Sequence, residues 1–229
     1  MERSPLSGCL ARGRSGLPLT ATIPKFGDLV SLLGAGSALS VRSLALVSFF
    51  ALTTRTAAEI GVVEVAAHQV ALQVWIFLAL AVDAIAIAAQ ALIAASLGQG
   101  DNQEARLTAD RMLAWALVWG GSLGLAFWLL RGALPTWFSS DPEVVLVVTS
   151  LMPFVALTQP LNALVFVWDG IYIGAGAFRF LGGWMVVATV LGAIGLASVT
   201  TIADVWWVVT ALMVFRVLPL AIRHGATLS

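Results

Sequence analysis

The feature that most constrains this chain is an apolar stretch from Ala66 to Leu97 that contains neither Gly nor Pro. At about 1.5 Å rise per residue, a helix of this length exceeds the roughly 30 Å hydrocarbon core of a bilayer. No soluble core needs an apolar helix of this length. The sequence therefore predicts a long, tilted helix that spans a membrane.

Four polar residues interrupt this stretch and fall on one face of the predicted helix. At about 100° per residue, Gln73, Asp83 and Gln90 all lie within about 60° of Gln69. Such side chains are costly in lipid unless they face other helices or a water-filled cavity. We predict that these four residues, hereafter the polar stripe, line a substrate or ion pathway. His68, close to the outer interface, is predicted to be a polar residue at headgroup level.

Composition agrees with a membrane protein and excludes other classes. The 229 residues are 60% hydrophobic and 10% charged, with a mean hydropathy of +0.97 and zero net charge, so no nucleic-acid partner is predicted. Two histidines and the single Cys9 make no metal site of ordinary spacing, and no catalytic constellation is visible. We therefore predict no enzyme, no metal site and no cofactor, with the lipid bilayer as the first partner.

Six segments are apolar and long enough to cross the membrane, each ended by charges, Gly or Pro. They run from Leu29 to Thr54, Val65 to Leu97, Met112 to Leu130, Val144 to Trp168, Phe180 to Val199 and Val205 to Ile222. The predicted fold is all-α, a polytopic bundle of six transmembrane helices over residues 29–223. Residues 1–28 are predicted to be a disordered cytoplasmic tail without a signal peptide, and residues 224–229 a second cytoplasmic tail.

Orientation follows from the basic residues, because cytoplasmic loops carry the excess of Lys and Arg. With both termini inside, nine basic residues are cytoplasmic, and only Arg55 and Arg131 lie outside. The nine are Arg3, Arg12, Arg14, Lys25, Arg106, Arg111, Arg179, Arg216 and Arg223. We predict a multi-pass protein of the plasma membrane with both termini in the cytoplasm.

Arg42 lies inside the first predicted span, where an uncompensated guanidinium costs at least about 2.5 to 3.5 kcal/mol. Counted along the helices, Arg42 lies about 16 Å and Asp83 about 21 Å from the cytoplasmic side. The sequence therefore predicts that they interact, directly or through water. Two interpretations are open: a structural ion pair between two helices, or a switchable pair that a substrate or a proton breaks.

The fourth predicted span contains two prolines, Pro153 and Pro160, followed by Asn162. Proline removes a backbone donor and bends a helix, and broken helices are frequent where transporters bind substrates or ions. We predict kinks at both prolines, which can be simple packing kinks, and a contribution of Asn162 to the pathway.

Three segments together resemble the carboxy-terminal half of a multidrug and toxic compound extrusion (MATE) transporter of the DinF-like branch. They are VAAHQVALQVWIFLALAVDAIAIAAQALIAASLGQGD, the arginine in SVRSLAL, and QPLNALVFVWDGIYIGAGAFR. The resemblance implies an antiporter that exports small organic, often cationic, compounds in exchange for the inward flow of protons or sodium. It also implies two six-helix bundles with a cavity between them.

Two departures from the family pattern qualify that expectation. A carboxylate of sodium-coupled relatives corresponds to Asn162 here, which argues against a sodium site of that kind. The amino-terminal bundle is missing, so the chain is predicted to be inactive without a partner bundle; a homodimer is the simplest substitute partner but would still lack that bundle's acidic residue. The alternatives are half of a lipid or polysaccharide flippase, for which the spans offer only Arg42 as a cation, and a non-transporting membrane assembly protein.

Overall fold

The computed structural model describes residues 26–227, which form eight helices. They are α1 (Phe26–Ile60), α2 (Val62–Gly98), α3 (Asn102–Leu130), α4 (Pro135–Phe138), α5 (Pro142–Leu157), α6 (Gln159–Gly174), α7 (Phe178–Leu196) and α8 (Ile202–Thr227). The chain divides into a short unit that ends at Gly34 and a main unit that begins at Ala35. The contacts that follow all lie within the main unit.

Five helices, α1, α2, α3, α7 and α8, are long and apolar enough to cross a membrane, and α5 with α6 can form a sixth span. The predicted all-α, polytopic membrane fold is therefore confirmed. The fourth predicted span is two helices rather than one, because α5 and α6 meet at Thr158 with a bend of 51°. Pro160, in the first turn of α6, has no N–H to continue the helix. Pro153 lies inside α5, which continues through it.

Helix α6 occupies the centre of the bundle, with most of its residues from Asn162 to Tyr172 buried. On one side, Gly120 and Gly124 of α3 bring two backbones together, because a Cβ on Gly124 would lie 2.6 Å from the Ala156 oxygen. In a regular helix that oxygen would accept from residue 160. The break between α5 and α6 is therefore packed directly against the glycine face of α3.

Helix α1 runs parallel to α7. The Thr189 hydroxyl donates to the Ala45 carbonyl over 3.1 Å, and Phe49 packs against Gly192. Near its carboxy-terminal end, Thr53 and Thr54 meet the first turns of α2. Helix α1 is the least buried of the candidate spans.

Helix α8 ends against the start of α3. The Arg106 guanidinium donates to the Gly225 carbonyl over 2.6 Å, and His224 contacts Asp110 over 3.1 Å. The carboxy-terminal end of α8 and the connection between α2 and α3 thus lie at one end of the bundle, as the topology prediction requires.

The tail boundaries predicted from sequence need two corrections. Residues 26–28 already belong to α1, and residues 224–227 still belong to α8, because both helices continue beyond their apolar segments. The rest of the predicted amino-terminal tail, with four of the nine basic residues assigned to the cytoplasm, lies outside the described residues.

Candidate functional site

A buried carboxylate, Asp169 of α6, is the centre of the polar interior. Its Oδ2 atom accepts hydrogen bonds from Arg42 Nη2 of α1 and from Arg216 Nη2 of α8, the latter over 2.5 Å. Asp169 and Arg216 are only 4% and 5% exposed, whereas the Arg42 side chain is 16% exposed. One carboxylate oxygen thus joins three helices, and Arg42 is its more accessible partner.

Two glycines place Asp169 at this position. Gly170 and Gly174, one turn apart on α6, bring its backbone against α2, where a Cβ would meet the carbonyl oxygens of Ala86 and Gln90. Small residues at this spacing allow two helices to pack backbone to backbone. This close approach sets the position of Asp169 along the α2 axis relative to Asp83, which precedes Ala86.

Arg42 does not bond directly to Asp83, because its guanidinium donates to Asp169 instead; an interaction with Asp83 through water stays a prediction. Within the described residues, Asp83 makes neither a hydrogen bond nor an ion pair, although the charges of Arg42 and Asp169 both act on it. Asp83 is half-buried. The charged groups here are therefore the guanidiniums of Arg42 and Arg216 and the carboxylates of Asp83 and Asp169. Of the two carboxylates, only that of Asp169 bonds directly to a guanidinium.

The polar stripe of α2 lies along a face that the bundle covers incompletely. Gln73 and Gln90 are exposed, Asp83 and Gln69 are half-buried, and Gln69 Nε2 donates to Thr54 Oγ1 over 3.3 Å. Gln73 also lines a groove with aromatic walls, which include Phe77, Phe127, Trp137 and Phe138. All four stripe residues are thus half-buried or exposed.

The break between α5 and α6 carries a second polar group. Asn162 is 1% exposed; its Nδ2 donates to Thr158 Oγ1 over 3.2 Å, and its Oδ1 has no partner among the described residues. Gln159 Nε2 donates to the Val155 carbonyl, and its Oε1 is likewise buried without a protein partner. Two bare amide oxygens one turn apart offer acceptors to water or to a cation. Asn162 is therefore a candidate residue of the predicted substrate or ion pathway.

His68 is fully buried within the bundle, and its predicted level near the headgroups stays a prediction. The Thr53 hydroxyl donates to the Phe50 carbonyl, so His68 Nε2 donates to Thr53 Oγ1 over 3.3 Å. The imidazole ring packs against Trp206. His68 therefore joins the carboxy-terminal part of α1 to the amino-terminal parts of α2 and α8.

At the opposite end of the bundle from His68, a chain of hydrogen bonds runs from Trp168, next to Asp169, to Asp110. Trp168 Nε1 donates to His224 Nδ1 over 3.3 Å, so His224 Nε2 carries the proton that is donated to Asp110 Oδ1. These contacts join α6, α8 and α3. They hold the segment that carries Asp169 to the end of the bundle where α8 terminates.

Sequence reasoning missed Asp169 and Arg216, which it assigned to a connection and to the cytoplasmic basic residues. Arg216 is buried inside α8, so eight rather than nine basic residues remain in the cytoplasmic set. Three apolar residues precede Arg216, in MVFR, and VLPLAI follows it, which signals a position inside a span. Asp169 has a weaker signal, because Gly170 separates it from the short apolar run IYI and the predicted span ended at Trp168.

Comparison with known proteins decides the family. The MatE family profile matches residues 38–197, which is well over half of the chain. The chain belongs to the MatE family. Protein DETOXIFICATION 44, chloroplastic, of Arabidopsis thaliana is 33% identical to this MatE protein over 204 residues, covering 88% of the chain and 39% of the relative. Members of this family are transporters, so the chain is a multi-pass membrane protein and not an enzyme.

A second curated relative and a solved structure are also similar to the chain. Multidrug resistance protein MdtK of Edwardsiella ictaluri is 25% identical over 157 residues, covering 69% of this chain and 34% of that protein. The fold is that of a solved MATE structure in complex with MaL6, with a TM-score of 0.78 at 14% identity, over 84% of this chain and 44% of that one. The MatE chain thus spans less than half the length of the proteins it matches.

Proposed function

We propose that this chain is the carboxy-terminal six-helix half of a multidrug efflux antiporter that exports small organic, often cationic, compounds across the plasma membrane. The observation that carries the proposal is the polar stripe of α2, with the carboxylate of Asp83, on a face that the bundle leaves partly uncovered. A carboxylate on such a face needs water, a cation or a second bundle. Membership of a transporter family makes the cavity of a carrier the best explanation.

The partner of that face is an amino-terminal six-helix bundle, because carriers of this kind alternate by rocking one bundle against another. The family relatives support this, since each is more than twice as long as the segment that matches. A homodimer is the alternative arrangement, in which a second stripe would face the first. In either case the stripe residues line one wall of the substrate cavity.

The coupling ion is a proton or sodium, as in the DinF-like branch that the sequence resembles. Asp83 is the pathway carboxylate that could exchange a proton or a cation, because Asp169 already accepts from two guanidiniums. A flippase half is less well supported. Phosphate binding needs cations that are free to bond to it, and the guanidiniums of Arg42 and Arg216 are both already bonded to the carboxylate of Asp169.

Transport in liposomes tests the proposal. The purified chain is reconstituted alone and together with the amino-terminal half of a MatE relative, with ethidium as the substrate and an imposed proton or sodium gradient. Gradient-dependent ethidium movement is expected only with both halves present, and Asp83→Asn should reduce it at least tenfold. Glu59→Gln, on the exposed outer end of α1, is the matched control and should leave transport unchanged. Equal transport by the chain alone would contradict the half-transporter proposal.

A further inference from the structure

The end of α8 carries a histidine whose two ring nitrogens contact two other helices. His224 Nδ1 lies 3.3 Å from Trp168 Nε1 of α6, and His224 Nε2 lies 3.1 Å from Asp110 Oδ1 of α3. The indole N–H can only donate, so Nδ1 must accept and carries no proton. The carboxylate accepts, so the single proton of the ring is on Nε2. Both contacts together therefore require the neutral form of His224.

Protonation of His224 changes its two contacts in opposite directions. A proton on Nδ1 turns the acceptor into a second donor, which then faces the donor N–H of Trp168. The contact with Asp110 becomes an ion pair with a charge-assisted hydrogen bond. Trp168 is 8% exposed, so its indole N–H must find another acceptor or stay unsatisfied, which is costly. Protonation therefore breaks the contact of α8 with α6 and keeps its contact with α3.

The other polar contacts between α6 and α8 contain no histidine. The Tyr172 hydroxyl donates to the Leu220 carbonyl over 2.7 Å, and Asp169 bonds to Arg216. Histidine is the side chain whose charge ordinarily changes between about pH 5 and pH 8. The His224 side chain is 21% exposed, so protons can reach it from the surrounding solution. Among these contacts, that of His224 is thus the one that responds to pH near neutrality.

Charged groups from four helices lie at this end of the bundle. Asp110 contacts the imidazole directly, so the protonated ring has a counter-ion in place. The other charged side chains are exposed or have other partners: Arg106 and Arg111 of α3, Asp169 of α6, Arg179 of α7 and Arg223 of α8.

We propose that His224 is a pH-sensitive switch at the carboxy-terminal end of the bundle. Neutral His224 joins α6 to α3 through Trp168 and Asp110, whereas protonated His224 holds Asp110 alone. Because Trp168 directly precedes Asp169, protonation releases the α6 segment that carries the buried carboxylate from the end of α8. The predicted topology places this end in the cytoplasm, so the signal is acidification of the cytoplasm. The switch needs only contacts within this bundle and does not rest on the proposed function.

The test is the pH dependence of the Trp168 indole N–H signal, measured by NMR on the full chain with 15N-labelled tryptophan in lipid nanodiscs. Trp168→Phe identifies the signal by its loss. Between about pH 8 and pH 5 the signal should move upfield in one transition, because the indole loses its hydrogen bond. Trp119 is the matched control, because its Nε1 donates to the Ala81 carbonyl over 3.1 Å and its signal should not respond.

His224→Asn keeps an acceptor oxygen but does not titrate, so the Trp168 signal should become independent of pH. A Trp168 signal that is constant with pH in the wild type would overturn the proposal, as would a pH response that persists in folded His224→Asn. If that variant does not fold, the imidazole 15N signals of the wild type decide. His224 must then titrate with the same midpoint as the Trp168 indole, and different midpoints would overturn the switch.

Discussion

Asp169 and Arg216 form a buried ion pair, 2.5 Å between Oδ2 and Nη2, that joins the centre of the bundle to its last helix. Arg42 adds a third helix to the same carboxylate oxygen. Buried pairs of this kind are weak contributors to net stability, but removing one member leaves an uncompensated charge. The predictions for this site follow from that asymmetry.

Asp169→Asn should destabilise the bundle by about 3 kcal/mol, because two buried guanidiniums lose their shared carboxylate. The measurement is thermal or denaturant unfolding in detergent. Glu59→Gln breaks the exposed Arg55–Glu59 pair and should change stability by less than about 0.5 kcal/mol. Equal effects of the two variants would show that Asp169 has no special structural role.

A pair of double-mutant cycles distinguishes the two possible partners of Arg42. Arg42→Gln combined with Asp169→Asn should show a coupling energy above about 1 kcal/mol, since the residues are in contact. The cycle of Arg42→Gln with Asp83→Asn should give a smaller coupling, because those side chains interact only through their charges. A coupling with Asp83 as large as that with Asp169 would restore the pair predicted from sequence.

Gly120→Ala should cost about 1 to 3 kcal/mol, because its Cβ would lie 2.6 Å from the Cβ of Ala163 and 2.8 Å from the Gln159 carbonyl. The adjacent Gly121 is the matched control. A Cβ there meets nothing within 4 Å, so Gly121→Ala should be neutral or stabilise by up to about 1 kcal/mol. Thermal unfolding of both variants checks the prediction, and a reversed order would contradict the packing of α3 on the helix break.

The orientation is tested with reporter fusions. A reporter inserted at Gly100, between α2 and α3, should be cytoplasmic, and one inserted at Ser140, between α4 and α5, should be external. Each position lies in a short connection, so insertion leaves the long helices intact. A cytoplasmic reporter at Ser140 would reverse the orientation inferred from the basic residues.

Sequence reasoning recovers the long apolar spans, because they depend only on the length of apolar runs along one segment. It places Arg42 and Asp83 at similar depth, since the rise per residue gives height. It cannot identify the partner of Arg42, because that choice depends on which faces of three helices meet. Gly170 and Gly174 bring α6 against α2 and place Asp169 within reach of Arg42. No spacing within one segment contains that information.

The helix break shows the same limit. Pro160 signals a bend, but the sequence does not show that Pro153 leaves α5 continuous while the chain turns by 51° at Thr158. The difference arises from packing, because the Ala156 carbonyl beside the break lies against Gly124 of α3. Pro160 has no N–H to donate to this carbonyl, so one helix ends and the next begins at this contact.

Cysteine labelling of the polar stripe tests the central claim most directly. In a Cys9→Ser background, Gln73→Cys is treated with a membrane-impermeant maleimide, in the chain alone and in the chain paired with an amino-terminal half. Trp115→Cys, on the exposed surface of α3, is the control position. In a bilayer, a thiol on the stripe should be nearly unreactive in the chain alone, where it faces lipid, and at least fivefold more reactive on pairing, where it lines a water-filled cavity, with the lipid-facing control unchanged. Equal reactivity of Gln73→Cys in both preparations would contradict the account, because the stripe would then not face a partner bundle.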